Sequence, residues 1–123
     1  MKIQESAENY LETILIITER KGSCRSIDIA NELGYSKPSV SIAMKNLREN
    51  GYIDVMGDGS IHLLEPGKAI AEKLYKRHTM LTAFLRAIGV PSEIASEDAC
   101  KIEHSLSQES IEAIEKHLKK IER

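Results

Sequence analysis

Apolar residues in this chain follow helical spacing along most of its length and alternate with polar residues in one short region. The spacing predicts a first helix over residues 6–21, with Ser6 as its N-cap. Ser26–Leu33 predicts a second helix, and a third begins after a cap at Ser36. Because Gly34 gives a tight break between the second and third helices, these two form a helix-turn-helix pattern.

Alternation with period two follows the third helix. Tyr52–Met56 and, less regularly, Ile61–Leu64 read as two strands, and Gly57–Ser60 joins them as a hairpin loop. Three helices followed by a β-hairpin are the element order of a winged helix-turn-helix. We therefore expect a DNA-binding domain over residues 1–66.

The remaining residues, 67–123, return to helical spacing. Pro66 opens a long helix that extends to about Ile88. Ser92 is placed to cap a helix that continues through His104, and Ser107 is placed to cap the last helix. The predicted fold class is mainly α: a winged helix-turn-helix with a small β-hairpin, followed by an α-helical metal-binding and dimerisation domain.

Composition narrows the classes of protein to which the chain can belong. The formal net charge is −2, which argues against a protein that coats nucleic acid by charge alone. Two cysteines, Cys24 and Cys100, are too few and too distant for a disulfide framework. No apolar run approaches the length of a membrane span, and Met1–Glu5 leads directly into an amphipathic segment. We expect a cytoplasmic protein with reduced thiols and no membrane partner.

Candidate chemistry is concentrated in one stretch. Cys100, Glu103 and His104 stand at positions i, i+3 and i+4, so a helix would place all three on one face. A thiolate, a carboxylate and an imidazole together suit a divalent transition metal better than Mg or Ca. Further candidate ligands beside apolar stripes of other helices are Asn9, Glu12 and His78.

These motifs carry a resemblance to a known family. A winged helix, then Arg77-His78, then Cys100-x-x-Glu103-His104-x-Leu106-Ser107 resembles the diphtheria toxin repressor and manganese transport regulator family. Members are metal-activated bacterial repressors of metal-uptake genes. The length of the chain is similar to that of the two-domain members of the family.

The resemblance implies a set of metal ligands. One site would take Asn9, Cys100, Glu103 and His104, and a neighbouring site would take Glu12, His78 and Glu103, with Cys100 as an optional bridge. The implied cofactor is Fe²⁺ or Mn²⁺, for which Co²⁺, Ni²⁺ or Zn²⁺ can substitute. The first helix of the winged domain thus contributes ligands to the helical domain.

The match to the family pattern is not complete. Manganese-type members carry an acidic residue where Cys100 stands, and usually an Asp where Asn9 stands. Thr82 and Ser96 fall where iron-type members have further metal ligands. Both the identity of the metal and the number of ions per chain stay open at this point.

The predicted DNA contacts lie on the third helix, which would enter the major groove by its N-terminal end. They are Ser36, Lys37, Pro38, Ser39, Ile42, Lys45 and Arg48. In the family, a proline and a small hydroxyl residue contact DNA at the positions of Pro38 and Ser39. Apolar stripes on the last two helices predict a homodimer, and a two-fold dimer would read an inverted-repeat operator.

Two other functions need to be considered. A metal-independent winged-helix regulator could use Cys100 as a redox sensor, in which case chelation would leave operator affinity unchanged. An enzyme is not expected, because the sequence has neither an HExxH pattern nor a Gly-rich phosphate loop. For the same reason we expect no small organic substrate.

Overall fold

The computed structural model describes residues 5–122. Within them the chain forms six helices and one antiparallel hairpin. The elements are α1 Glu5–Lys21, α2 Ser26–Leu33, α3 Lys37–Glu49, β1 Ile53–Val55, β2 Ile61–Leu63, α4 Glu65–Ala87, α5 Ser92–Ile102 and α6 Gln108–Ile121. The fold divides after Glu72, inside α4, into two compact units.

The first unit is a winged helix-turn-helix, as the element order predicts. Its core is one cluster of apolar side chains from α1, α2, α3, the hairpin and the start of α4, including Leu11, Ile14, Ile17, Ile29, Val40, Met44, Ile53 and Ile61. Gly34 ends α2 with a φ of 71°, a conformation that glycine adopts without steric penalty. Ser36 caps α3 as predicted, because its Oγ accepts the N–H of Ser39 at 3.3 Å.

The hairpin is attached to the helices by a backbone hydrogen bond. Ile53 pairs with Leu63 and Val55 with Ile61. The N–H of Ile61 donates to the carbonyl of Cys24 at 2.7 Å, so β2 is tied to the segment between α1 and α2. The strands are shorter than predicted, since the regular pairing covers only three residues on each side.

The second unit contains the rest of α4 with α5 and α6. Leu81, Ala99 and Ile111 form its buried centre, and Leu106 packs against this cluster. Leu106, which precedes the N-cap Ser107, shares this cluster with Ile111, as in a hydrophobic staple. Ser107 caps α6 as predicted, with its Oγ accepting the N–H of Ser110 at 3.1 Å.

Three predictions at helix ends were wrong. α1 is already helical at Glu5, so Ser6 lies inside the helix instead of capping it. The N-cap of α5 is Pro91, and Ser92 is its first helical residue. α5 also ends at Ile102, short of His104, because the N–H groups of residues 105 and 106 both bond to the carbonyl of Ile102 and close a tight turn.

The sequence also predicts that no segment spans a membrane. In the part of the chain from residue 5 to residue 122, none of the helices has the length and apolar character needed to span a bilayer.

Candidate metal centre and nucleic-acid interface

A buried carboxylate with two imidazoles beside it lies in the second unit. Glu103 is fully buried, and its Oε2 lies 3.1 Å from Nδ1 of His78. Its other oxygen, Oε1, lies 3.5 Å from Nε2 of His104. Three of the predicted ligands are thus brought together by α4 and by the turn that follows α5.

The carboxylate of Glu103 is incompletely satisfied. Oε1 has no hydrogen-bond partner among the residues that the structure describes. A buried, ionised carboxylate is strongly unfavourable unless a cation or several donors compensate its charge. The oxygen therefore points to a positively charged ligand.

The donor set fits a divalent transition metal. His78 and His104 offer imidazole nitrogens and Glu103 offers carboxylate oxygens, which are ligands that zinc, iron, manganese and similar ions share. Mg and Ca prefer oxygen ligands alone. We conclude that these residues are suited to hold a transition-metal ion.

Neighbouring hydroxyl groups fix His78. Ser96 Oγ lies 3.4 Å from its Nε2, on the side of the ring away from Glu103. Thr82 uses its Oγ1 to donate to the backbone carbonyl of His78 at 2.7 Å. Thr82 and Ser96 stand at the positions where iron-type family members carry additional ligands, and here they make hydrogen bonds to His78 instead.

The two cysteines differ in their surroundings. Cys100 lies in the last turn of α5 and is exposed, whereas Cys24 is buried in the core of the first unit. Burial, with a smaller contribution from Asp28, raises the pKa of the Cys24 thiol to about 12. Cys24 is therefore unreactive, and only Cys100 is available as a ligand or redox group.

Asn9 and Glu12 lie on α1 in the first unit. Asn9 is half-buried, and its backbone carbonyl accepts a hydrogen bond from Oγ1 of Thr13 at 2.7 Å. Glu12 is buried. Their participation in a metal site stays a prediction, as does that of Cys100.

The predicted DNA-contacting residues are all exposed on α3 or at its cap: Ser36, Lys37, Pro38, Ser39, Ile42, Lys45 and Arg48. Ile42 is 63% exposed although it is a large apolar residue within a helix. The Oγ of Ser36 donates to the Oγ of Ser39 at 2.8 Å, which places two hydroxyl groups together at the start of the helix. This surface has the hydroxyl, apolar and basic groups that a recognition helix uses.

The loop of the hairpin carries an acidic residue. Asp58 accepts hydrogen bonds from the N–H and the Oγ of Ser60, at 2.9 and 2.7 Å. These bonds hold the pKa of Asp58 below its usual value, so the loop is negatively charged at neutral pH. Because the loop residues 57–60 include no basic residue, we expect the loop to contribute little to DNA binding.

One residue that contacts this site was not indicated as such by its sequence. In the sequence, Arg77 is notable only as part of the Arg77-His78 motif. Its side chain is in fact buried and donates to the backbone carbonyl of Glu103 at 3.0 Å. The one available indication was a basic residue between Leu74 and Leu81 at the inward-facing helical spacing.

Comparison with known protein families gives a match to both halves of the chain. Residues 2–61 match the N-terminal DNA-binding domain of iron-dependent repressors. Residues 64–123 match the metal-binding and dimerisation domain of the same repressors.

Individual relatives agree with these matches. Transcriptional regulator MntR of Salmonella typhimurium is 34% identical over 110 residues, which cover 89% of this chain and 70% of the relative. HTH-type transcriptional regulator MntR of Bacillus subtilis is 38% identical over 109 residues, covering 89% and 77%.

A solved structure shows the same fold. A manganese-dependent transcriptional repressor in complex with manganese superposes with a TM-score of 0.83 and 25% identity. The match covers 91% of this chain and 52% of that one, so the chain spans about half the length of the solved protein.

Proposed function

This chain belongs to the iron-dependent repressor family, and we propose that it is a homodimeric transcriptional repressor that binds its operator when a divalent metal is bound. The family supplies a DNA-binding domain and a domain for metal binding and dimerisation, which are the two activities that the proposal requires. As repressors, the members of this family act by binding DNA and are not enzymes.

The observation that carries the proposal is the unsatisfied oxygen of Glu103. A fully buried carboxylate lies beside two histidines, and one of its oxygens has no hydrogen-bond partner in the described part of the chain. A divalent cation bound there would compensate the negative charge of this buried carboxylate. Glu103 and His104 would be ligands, while Ser96 would hold the ring of His78 in the orientation that faces Glu103.

We assign the ligands by the family pattern. The proposed set is Asn9, Glu12, His78, Cys100, Glu103 and His104. Because Asn9 and Glu12 belong to α1, ligation by both domains would couple metal occupancy to the DNA-binding unit. Coupling of this kind is worth roughly 1–3 kcal/mol in most allosteric proteins.

We propose Fe²⁺ or Mn²⁺ as the metal in the cell. The family name and the manganese-bound relative support these two ions. The soft thiolate of Cys100 and the neutral amide of Asn9 would also accept Co²⁺, Ni²⁺ or Zn²⁺.

The DNA interface is proposed on α3. Pro38 and Ser39 would contact bases at the N-terminal end of the helix, while Lys45 and Arg48 would bind phosphates. All of these side chains are exposed. Two copies of α3 in a dimer would reach half-sites about one helical turn apart, so the operator would be an inverted repeat.

A DNA mobility-shift titration tests this function. The demetallated protein is titrated onto promoter DNA at one fixed salt concentration, with each of Fe²⁺, Mn²⁺, Co²⁺, Ni²⁺ and Zn²⁺, because affinity depends on salt. We expect tighter binding with metal, and loss of this response in Glu103→Ala and His104→Ala. Glu97→Ala, on the exposed face of α5, is the matched control. Equal affinity with and without metal would refute the proposal.

The exposed position of Cys100 favours one second candidate, a regulator that senses oxidants through this thiol. The two functions are separated by adding oxidant and chelator in turn to wild type and to Cys100→Ser. A redox sensor would respond to oxidant only when Cys100 is present and would ignore the chelator. A metal sensor would lose DNA binding on chelation.

A further inference from the structure

Arg77 is a buried cation that binds the turn between α5 and α6. One of its terminal nitrogens donates to the carbonyls of Glu103 and Leu106, at 3.0 and 3.1 Å. The other donates to Oε1 of Gln108 at 3.0 Å. Arg77 is 8% exposed, so nearly all of it is enclosed by the protein.

These three acceptors lie at and after the two residues of this segment that face the metal site, Glu103 and His104. Glu103 is the C-cap of α5, where helix carbonyls lack partners within the helix. Leu106 precedes the N-cap of α6, and Gln108 is the first residue of that helix. The guanidinium thus bridges the end of one helix, the turn and the start of the next.

These hydrogen bonds do not neutralise the charge of Arg77. The acceptors are two backbone carbonyls and an amide, so the charge of Arg77 is not compensated by a carboxylate in these bonds. Its Nε is also buried without a hydrogen-bond partner among residues 5–122. Buried polar groups that are left partly unsatisfied are uncommon and call for an explanation in terms of function.

We propose that Arg77 is a positioning residue for the metal centre. By fixing the backbone of residues 103–106, it holds the Glu103 carboxylate and the His104 imidazole in the arrangement that binds the ion. Outer groups that orient metal ligands typically change metal affinity 10- to 100-fold when they are replaced. This inference rests on the proposed metal-binding function and adds a residue that does not itself ligate the metal.

A lysine at this position separates geometry from charge. Lysine keeps the positive charge and the aliphatic stem, but its single nitrogen cannot reproduce the planar fork of two nitrogens that reaches three acceptors. Arg77→Lys therefore removes the bridge and leaves the local charge unchanged. Gln108→Ala removes one anchor from a residue that is exposed, and so disturbs the fold least.

The test compares wild type, Arg77→Lys, Gln108→Ala and Arg86→Lys in the full chain. Arg86 is an exposed arginine in the last turn of the same helix and serves as the matched control. Affinity for Co²⁺ is measured by competition with a chelator, and the Co²⁺ absorption spectrum reports the geometry of its ligands. Hydrogen exchange of the amides of Glu103, Ser105 and Leu106 is measured in the demetallated proteins.

We expect Arg77→Lys to weaken Co²⁺ binding about 10-fold or more. Its Co²⁺ spectrum should change, and the three amides should exchange faster, while Gln108→Ala should show smaller changes in the same direction. Unchanged affinity, or weaker binding with unchanged exchange, would overturn the inference. If Arg77→Lys does not fold, a Gln108→Ala protein with wild-type affinity and exchange would overturn it equally. Absence of Co²⁺ binding in wild type would refute the proposed function itself.

Discussion

At the scale of single residues, the proposed metal site requires the burial of a carboxylate, that of Glu103. The side chain is fully buried, and one carboxylate oxygen lacks a hydrogen-bond donor within the described residues. An apolar residue would pack there without this penalty. A site of this kind gains stability only when its ligand binds.

Replacing Glu103 by glutamine tests whether the buried carboxylate binds the metal. In Glu103→Gln, the increase in thermal stability on adding Mn²⁺ or Co²⁺ should be lost, because a neutral amide is a poor ligand. For wild type the increase should reach about 2.7 kcal/mol at a metal concentration one hundred times the Kd. Calorimetry measures both proteins with and without metal, with Glu97→Gln as the control. A metal response in Glu103→Gln equal to that of wild type would contradict this assignment.

A second residue makes the stability of the DNA-binding unit depend on pH. Asp28 accepts hydrogen bonds from Nζ of Lys21 at 2.8 Å and from the N–H of Arg25 at 2.9 Å. The bond from Lys21 and then that from Arg25 lower the pKa of Asp28 in the folded state. Because the folded pKa lies below the unfolded one, the stabilisation is complete above the unfolded value near 3.9 and is lost as the pH falls through the folded value.

Asp28→Asn should therefore be less stable than wild type at neutral pH, by about 1 kcal/mol or less, since the group is partly exposed. The difference should disappear at pH values below the folded pKa of Asp28. Urea unfolding of both proteins between pH 7 and pH 2.5 measures this difference, and Asp98→Asn on α5 serves as the control. A difference that stays constant across the whole range would show that the charge of Asp28 has no part in it.

At the scale of elements, the sequence predicts best what depends on neighbours along the chain. The cap and start of α3 follow from Ser36, Pro38 and Ser39, which act within one turn, and the structure confirms them. The end of α5 could not be predicted, because residues 103–106 contain no glycine or proline. That end is closed by two hydrogen bonds to the carbonyl of Ile102. It is also contacted by Arg77, which is 26 residues distant from Glu103 along the chain.

The candidate site, like the helix ends, could be predicted from the sequence only in part. The motif spacing indicated Cys100, Glu103 and His104, with His78 as a further candidate beside an apolar stripe. The second unit brings Glu103, His104 and His78 together. The contacts of Arg77 could not be predicted, because every residue has a backbone carbonyl and the sequence does not indicate which of them an arginine will bind. The participation of Asn9, Glu12 and Cys100 in a metal site stays a prediction.

Gly67 is a second element-scale feature that depends on tertiary contact. It lies in the first turn of α4, and a Cβ at this position would collide with the carbonyl oxygen of Tyr52 and contact Leu11. Gly67→Ala should therefore lower the free energy of unfolding by roughly 1–3 kcal/mol, although alanine favours helices. Urea denaturation tests this. Ala69→Gly, at an exposed position of the same helix, should cost about 1 kcal/mol from propensity alone. A stabilised Gly67→Ala protein would show that this close contact does not exist.

The proposed phosphate contacts of α3 predict a change in salt dependence. Lys45→Gln should weaken binding to operator and unrelated DNA about equally. It should lower the slope of log affinity against log salt by about 1.8, because each phosphate contact contributes about 0.9 and a homodimer loses two. Fluorescence anisotropy over a salt series, with metal present, measures both quantities. Lys116→Gln on α6 is the control for loss of one exposed charge. A slope equal to that of wild type would show that Lys45 is not part of the DNA interface.

At the scale of the whole molecule, the family assignment joins two activities in one chain. Residues 2–61 match a DNA-binding domain and residues 64–123 match a domain for metal binding and dimerisation. A net charge of −2 gives the protein little general attraction for DNA. In the proposed function, affinity comes from the α3 surface, the pairing of two copies and the effect of the metal.

The coupling between metal binding and operator binding tests the proposed metal-controlled repressor most directly. If metal raises operator affinity by a given factor, operator DNA must raise metal affinity by the same factor. The measurement is a Mn²⁺ titration of the demetallated protein by calorimetry, once alone and once saturated with operator, at the same salt concentration. We predict that operator tightens Mn²⁺ binding about 5- to 150-fold, and that Glu103→Ala abolishes the effect. Equal Mn²⁺ affinity with and without operator would contradict a metal-controlled repressor.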